Sequence, residues 1–67
     1  MTIYRKLKLI RDEYFYELHR EKERQFVEDM CEGLEGVPTD INDEDITEYL
    51  TERQIEWIND IANYLGI

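Results

Sequence analysis

The sequence predicts an all-α fold, a small three-helix bundle formed as a single domain by residues 1–67. Apolar residues recur at intervals of three and four in three separate segments, as on one face of an α-helix. A complete helix-start signal precedes the last segment. The chain is short and has one cysteine, Cys31, so no intrachain disulfide can stabilise it and the core has to come from helix packing.

The first helix is predicted over about residues 3–20, where apolar side chains form one stripe. The members of this stripe are Ile3, Leu7, Ile10, Tyr14 and Leu18. A second stripe follows without an intervening glycine or proline, and its members are Phe26, Val27, Met30 and Leu34. Both stripes could therefore belong to one long helix.

The phase of the two stripes argues against a single straight helix. At about 100° per residue, they lie roughly on opposite sides of one cylinder. A break within His19–Arg24 removes the conflict and gives a second helix over about residues 23–34, ending at Gly33 or Gly36. The alternative is one long helix with different partners on its two faces.

The segment from Glu35 to Tyr49 is predicted to be a linker, because it contains Gly36, Pro38 and a cluster of polar turn-forming residues. Within residues 39–50 we expect a short helical turn that directs Ile46 and Leu50 inward. Oxygen-bearing residues here partly follow the spacing of a calcium loop, but Asp45 stands where that loop needs glycine and Thr51 where it needs a bidentate glutamate. A solvated cap-and-turn segment is the preferred interpretation.

The third helix is predicted over residues 51–65. Thr51 and Gln54 form a capping box, and Leu50 can pack on Ile55 as a hydrophobic staple. The predicted buried stripe consists of Ile55, Ile58, Ile61, Ala62 and Leu65, and Gly66 ends the helix. Trp57 and Tyr64 are seven residues apart and lie on a flank outside this stripe.

Charge is distributed unevenly along the chain, whose net charge is −9. Residues 1–24 contain seven basic and five acidic residues, whereas Arg53 is the single basic residue among twelve acidic ones in residues 25–67. Phosphate backbones repel so acidic a body, so direct nucleic-acid binding is expected to be weak or absent. An acidic face is better suited to binding a basic protein surface. An equal alternative is that the acidity only keeps the protein soluble.

The residue types that carry catalysis are sparse. His19 is the single histidine and Cys31 the single thiol, and nothing else in the chain indicates that they meet beside an orienting group. We expect His19 to be exposed near a helix end and Cys31 to be a small buried filler. The three glycines stand apart, so no phosphate-binding loop is present. The prediction is a non-enzymatic protein with no catalytic residue, metal or cofactor.

Two features point instead to binding. Glu52, Glu56 and Asp60 recur every four residues on the exposed face of the third helix, about 6 Å apart along its axis, and such a row could imitate a nucleic-acid backbone. The eight aromatic residues also exceed what a three-helix core of this size can enclose. The predicted partner-binding residues are therefore Tyr16, Trp57, Tyr64, Glu52, Glu56 and Asp60. For Trp57, the edge of the chain's own core and a homodimer seam are the alternatives.

A resemblance extends this interpretation. The segments QFVEDMCEGL and LTERQIEWINDIANYL, joined by a polar linker, resemble a helical unit of small proteins from tailed phages and mobile elements. In particular they are similar to the companion proteins encoded beside the UvsW recombination helicase of T-even-type phages. The matching residues are Phe26, Val27, Met30, Leu50, Thr51, Arg53, Gln54, Trp57, Ile58 and Ile61. Those relatives often carry a basic residue after the isoleucine, where this chain has Ala62.

The resemblance implies a phage accessory protein of DNA metabolism rather than a reaction. We therefore expect a protein–protein contact in replication, recombination or repair, with a helicase or another DNA-processing enzyme as partner. The alternative is an acidic DNA mimic that inhibits a host DNA-processing or defence enzyme, of the restriction or CRISPR type. A self-associating structural protein is a third interpretation. The sequence contains no apolar run long enough for a membrane span or a secretory signal, so a cytoplasmic location is expected.

Overall fold

The fold is all-α, as the sequence predicts. A computed structural model describes all 67 residues of the chain. Three α-helices follow one another: α1 spans Ile3–Glu13, α2 Glu21–Gly33 and α3 Glu52–Leu65. Two short 3-10 helices lie between them, at Phe15–Glu17 and Asp45–Glu48, and no strand is present. None of these helices has the length and apolarity that crossing a membrane requires.

The predicted first helix over residues 3–20 is too long by seven residues. The α-helix ends at Glu13, the chain forms a 3-10 turn, and Leu18 is extended, with φ −79° and ψ 113°. Consecutive aromatic residues at 14–16 have modest helix propensity, so the local sequence favours continuation only weakly. The bend places Leu18 in the core, and the guanidinium of Arg24 donates a hydrogen bond to its carbonyl oxygen.

Helices α1 and α2 are therefore separate, as the phase of their stripes predicts, but the break covers residues 14–20, so it begins before the predicted segment His19–Arg24 and overlaps it only at His19 and Arg20. The α2 helix begins at Glu21 rather than at residue 23 and ends at Gly33. The next residues form a turn in which Gly36 has a φ of +88°, a conformation that glycine adopts without a steric penalty. Both glycines predicted as candidate ends thus lie in the transition from α2 to the linker.

One apolar core joins the three helices. It consists of 14 buried residues, all of them apolar or aromatic apart from the thiol of Cys31, and α1 packs against both α2 and α3. The 3-10 turn of the linker contributes Ile46, and Leu50 follows it inward, so the expected helical turn and its two buried residues are confirmed. The Tyr4 hydroxyl donates a 2.9 Å hydrogen bond to the carbonyl oxygen of Leu34 and so satisfies the end of α2 inside the core.

The linker also holds the start of α1. The Asp43 carboxylate accepts a hydrogen bond of 2.9 Å from the backbone N–H of Ile3, and Thr2 caps the same helix by accepting from the N–H of Arg5. Within the linker, the Asn42 side-chain oxygen accepts from the N–H of Asp45. These polar residues therefore act in capping and turn formation, as predicted. The chain contains no group of three or more His, Cys, Asp or Glu side chains placed to hold a metal ion.

Candidate protein-interaction surface

The α3 helix is fixed at both ends, which defines the direction of its side chains. Thr51 Oγ1 accepts from the N–H of Gln54 at 3.2 Å, and the Thr51 N–H donates to Gln54 Oε1 at 2.8 Å. The predicted capping box is thus present. At the other end Gly66 is left-handed, with φ +78°, and the N–H of Ile67 closes the last turn on the carbonyl of Ala62.

Trp57 covers the edge of the chain's own core. Its ring stacks on that of Phe26 from α2, with the ring centroids 4.1 Å apart and the planes at 26°. The side chain is 37% exposed, so about a third of it remains open to solvent. The buried part of Trp57 is therefore explained by packing against the chain's own core, one of the three interpretations given for this residue. The aromatic flank of α3 is therefore partly structural.

Tyr16 and Tyr64 have no comparable cover. Tyr64 is 72% exposed near the end of α3, and Tyr16 is 97% exposed in the 3-10 turn that follows α1. Although they are 48 positions apart in the sequence, both line the same open depression. We call this surface the aromatic depression; its lining residues are Tyr16, Glu17, His19, Tyr64 and Leu65. The structure thus brings two of the predicted partner-binding residues together.

The acidic row lies on α3 beside this surface. Glu52, Glu56 and Asp60 are all exposed, and none of them forms an ion pair. The single ion pair of the chain joins Arg11 to its neighbour Asp12, at 3.0 Å. Asp60 precedes Tyr64 by four residues, so the two side chains are neighbours on the helix surface. The acidic row therefore ends next to the aromatic depression.

Three members of the aromatic depression are not predicted by the sequence. Glu17, His19 and Leu65 line it, although none of them was predicted as a binding residue. His19 also lines an adjoining hollow with Arg20, Glu23 and Tyr64. In the sequence, the one indication that Glu17 and His19 belong to this surface is that they lie close to Tyr16. Their position against the end of α3 depends on the bend after α1, which the sequence does not specify.

The two reactive side chains lie far from each other. His19 is exposed, as predicted, and precedes α2, whereas Cys31 is buried, as predicted, near the end of that helix. Cys31 lies ten positions after Glu21 in the same α-helix, a rise of about 15 Å. Burial raises the pKa of the Cys31 thiol, which keeps it in the less nucleophilic neutral form. These two residues do not form a nucleophile–base pair.

The basic residues of α1 are partly occupied within the fold. Lys6 donates a 3.2 Å hydrogen bond from Nζ to Asn59 Oδ1 on α3, and the ammonium of Lys8 lies 5.9 Å from the centroid of the Tyr4 ring. Arg11 is paired with Asp12. Among the four basic residues of α1, Arg5 is the one whose side chain forms no hydrogen bond, ion pair or cation–π contact.

Comparison with models of known families, with curated proteins and with solved structures finds no match for this chain. The aromatic depression and the acidic row are therefore the structural observations from which a function is inferred.

Proposed function

We propose that this chain is a non-enzymatic, phage-type accessory protein of DNA replication, recombination or repair, which acts in the cytoplasm of the host cell by contacting another protein. The partner would be a helicase or another enzyme of DNA metabolism, bound through the aromatic depression. The observation that carries the proposal is the convergence of Tyr16 and Tyr64, two largely exposed aromatic side chains from separate elements, on one surface. Tyrosines are enriched at the centres of protein interfaces.

The link to DNA metabolism rests on the resemblance in sequence. Its second half includes the capping box and Trp57, and both have a role within this fold: one starts α3 and the other stacks on Phe26. These residues therefore support a shared helical unit more directly than a shared partner. The proposed contact is accordingly placed at Tyr16 and Tyr64, which have no such structural role.

Site-specific photo-crosslinking tests the proposal in cells. Benzoylphenylalanine would replace Tyr16 or Tyr64 in the tagged full-length chain, expressed in the host and during phage infection. Tyr49 is the matched control, because it is also an exposed tyrosine, at 53%, but lies outside the aromatic depression. We expect a DNA-processing protein to be crosslinked from positions 16 and 64 and not from 49. Crosslinks to copies of the chain itself, or the same proteins from all three positions, would contradict the proposal.

The alternative function is inhibition by DNA mimicry, and the acidic row is the observation that favours it. Glu52, Glu56 and Asp60 are exposed and unpaired on one helix, with successive side chains about 6 Å apart along the axis. If this row occupies a DNA-binding groove, charge reversal of its three residues should abolish partner binding, and binding should weaken steeply with salt. Docking through the aromatic depression predicts instead that Tyr64→Ala weakens binding, whereas charge reversal of Glu52 and Glu56 alone, which do not line the depression, changes it little. Trp57→Ala is a poorer variant for this purpose, because it also disturbs the core edge.

A further inference from the structure

Each tyrosine of the aromatic depression has a carboxylate close by. Glu17 lines the same depression as Tyr16 and Tyr64, and Asp60 lies one helical turn before Tyr64 on the surface of α3. Neither carboxylate forms an ion pair or a side-chain hydrogen bond within the chain. The surface therefore offers exposed aromatic faces next to unpaired negative charges.

An arginine side chain matches this combination better than other side chains do. Its planar guanidinium can stack on an aromatic ring and, at the same time, donate hydrogen bonds to a carboxylate at the ring's edge. The ammonium of lysine is more strongly hydrated and does not stack in this way. An apolar segment would leave the nearby carboxylates without a partner and would find one aliphatic side chain, Leu65, in the depression.

We infer that the aromatic depression binds an arginine-bearing basic segment of the partner protein, with guanidinium groups stacked on Tyr64 and Tyr16 and bonded to Asp60 and Glu17. This inference rests on the proposed function and specifies the partner's chemistry. The net charge of −9 supports it, since the long-range field attracts a basic segment. The same charge disfavours a second copy of this chain as the occupant. One basic side chain, Arg20, lines the adjoining hollow, and the acidic residue Glu23 lines the same hollow.

Two peptides of equal length and charge test the inference on the full-length protein. One repeats the triplet Gly-Arg-Ser and the other repeats Gly-Lys-Ser, and both carry a fluorophore for anisotropy titration at a fixed, moderate salt concentration. We expect the arginine peptide to bind more tightly. Tyr64→Leu, which keeps apolar bulk but removes the ring, should weaken its binding about two- to fivefold, whereas Tyr64→Phe should retain it. Glu17→Gln should also weaken binding.

The controls distinguish this surface from the general acidity of the chain. Tyr49→Leu and Glu48→Gln change an aromatic and an acidic residue that are also exposed but lie outside the aromatic depression, and they should leave the affinity unchanged. In NMR spectra, the ring signals of Tyr16 and Tyr64 should shift on titration and those of Tyr49 should not.

Equal affinity for the two peptides, or equal losses from Glu17→Gln and Glu48→Gln, would overturn the inference and show attraction to net charge alone. Absence of peptide binding would overturn it as well. Sedimentation of the free protein as a dimer that Tyr64→Leu dissociates would identify a second copy as the occupant and also overturn it. If photo-crosslinking from positions 16 and 64 succeeds while the arginine preference is absent, the proposed protein contact stands and the arginine-bearing segment does not.

Discussion

Trp57 and Tyr64 occupy equivalent positions on the same flank of α3, two turns apart, yet their environments differ. Trp57 faces the middle of α2, where the ring of Phe26 covers it, and is 37% exposed. Tyr64 faces the connection between α1 and α2, where Tyr16 and His19 lie, and is 72% exposed. The helical register assigns both residues to one flank. What lies opposite each of them decides whether that flank is core or open surface.

The difference has a simple origin in the connection between the first two helices. Because α1 ends at Glu13, the next seven residues form a bend in which Leu18 alone is buried. A bend of this kind supplies no continuous helical face against the last turn of α3. Tyr64 and Tyr16 consequently meet at an open depression rather than in a packed helix–helix contact. The same bend that completes the core leaves the proposed binding surface uncovered.

The largest loss of stability should come from a substitution on the buried side of α3. Ile58 directly follows Trp57 and is completely buried. We expect Ile58→Ala to lower the free energy of unfolding by about 2–5 kcal/mol, because it leaves a cavity in the apolar core. Urea denaturation followed by circular dichroism measures the change. Ile58→Val, which removes one methylene, should cost about 0.5–1.5 kcal/mol and keeps the test informative if the alanine variant does not fold. A loss below 0.5 kcal/mol for Ile58→Ala would contradict the assigned core.

The inner side of α3 is also what the sequence predicts best. Ile58, Ile61 and Ala62 are buried as their spacing predicts, since local periodicity determines which face of a helix is apolar. Ile55 and Leu65, at the two ends of the predicted stripe, are only partly buried against this core. The capping box is likewise a local pattern, and it is confirmed. Contacts between distant segments are a different matter. The hydrogen bond from the Ile3 N–H to Asp43 spans 40 residues and leaves no periodic signal.

The outer surface of α3 shows where sequence reasoning reaches its limit. Periodicity places Trp57 and Tyr64 off the buried stripe, but it cannot identify Phe26 as the ring that covers the first of them. Nor can it place Tyr16 beside Tyr64, since that depends on ending α1 at Glu13 rather than near residue 20. Tyr4 was missed for a related reason: it lies beside the apolar stripe, and its burial depends on the Leu34 carbonyl at the end of another helix.

The second largest effect should be the loss of the Trp57 ring. We expect Trp57→Ala to lower the free energy of unfolding by about 1–2 kcal/mol, less than a fully buried aromatic residue, because part of the ring is already in solvent. Circular dichroism in urea measures the change, since the variant lacks the chain's single tryptophan. Trp57→Phe is the matched control, since it keeps a ring against Phe26, and it should recover part of the loss. A wild-type stability for Trp57→Ala would mean that the stacked arrangement contributes nothing.

A double-mutant cycle isolates the contact between the two rings. Combining Phe26→Ala with Trp57→Ala should reveal a coupling free energy of about 0.5–1.5 kcal/mol, the range expected for an aromatic pair beyond the area it buries. The control cycle pairs Phe26→Ala with Tyr64→Ala, which should couple by less than about 0.5 kcal/mol if the two residues are independent. Similar coupling in both cycles would show that Tyr64 contributes to the core in the same way as Trp57. That result would contradict the assignment of Tyr64 to an open surface.

The smallest effect on stability should come from Tyr64. Because the side chain is 72% exposed and makes no hydrogen bond, Tyr64→Ala should change the free energy of unfolding by no more than about 0.5 kcal/mol. The fluorescence of Trp57 in urea reports this variant directly. If alanine at Tyr64 or Tyr16 changes stability little but removes the partner crosslink formed from the other of these two positions, the tyrosines act in binding rather than in folding. A loss above 1 kcal/mol from Tyr64→Ala would instead make its ring part of the core edge, because a side chain that is 72% exposed buries too little surface to stabilise the fold to that extent.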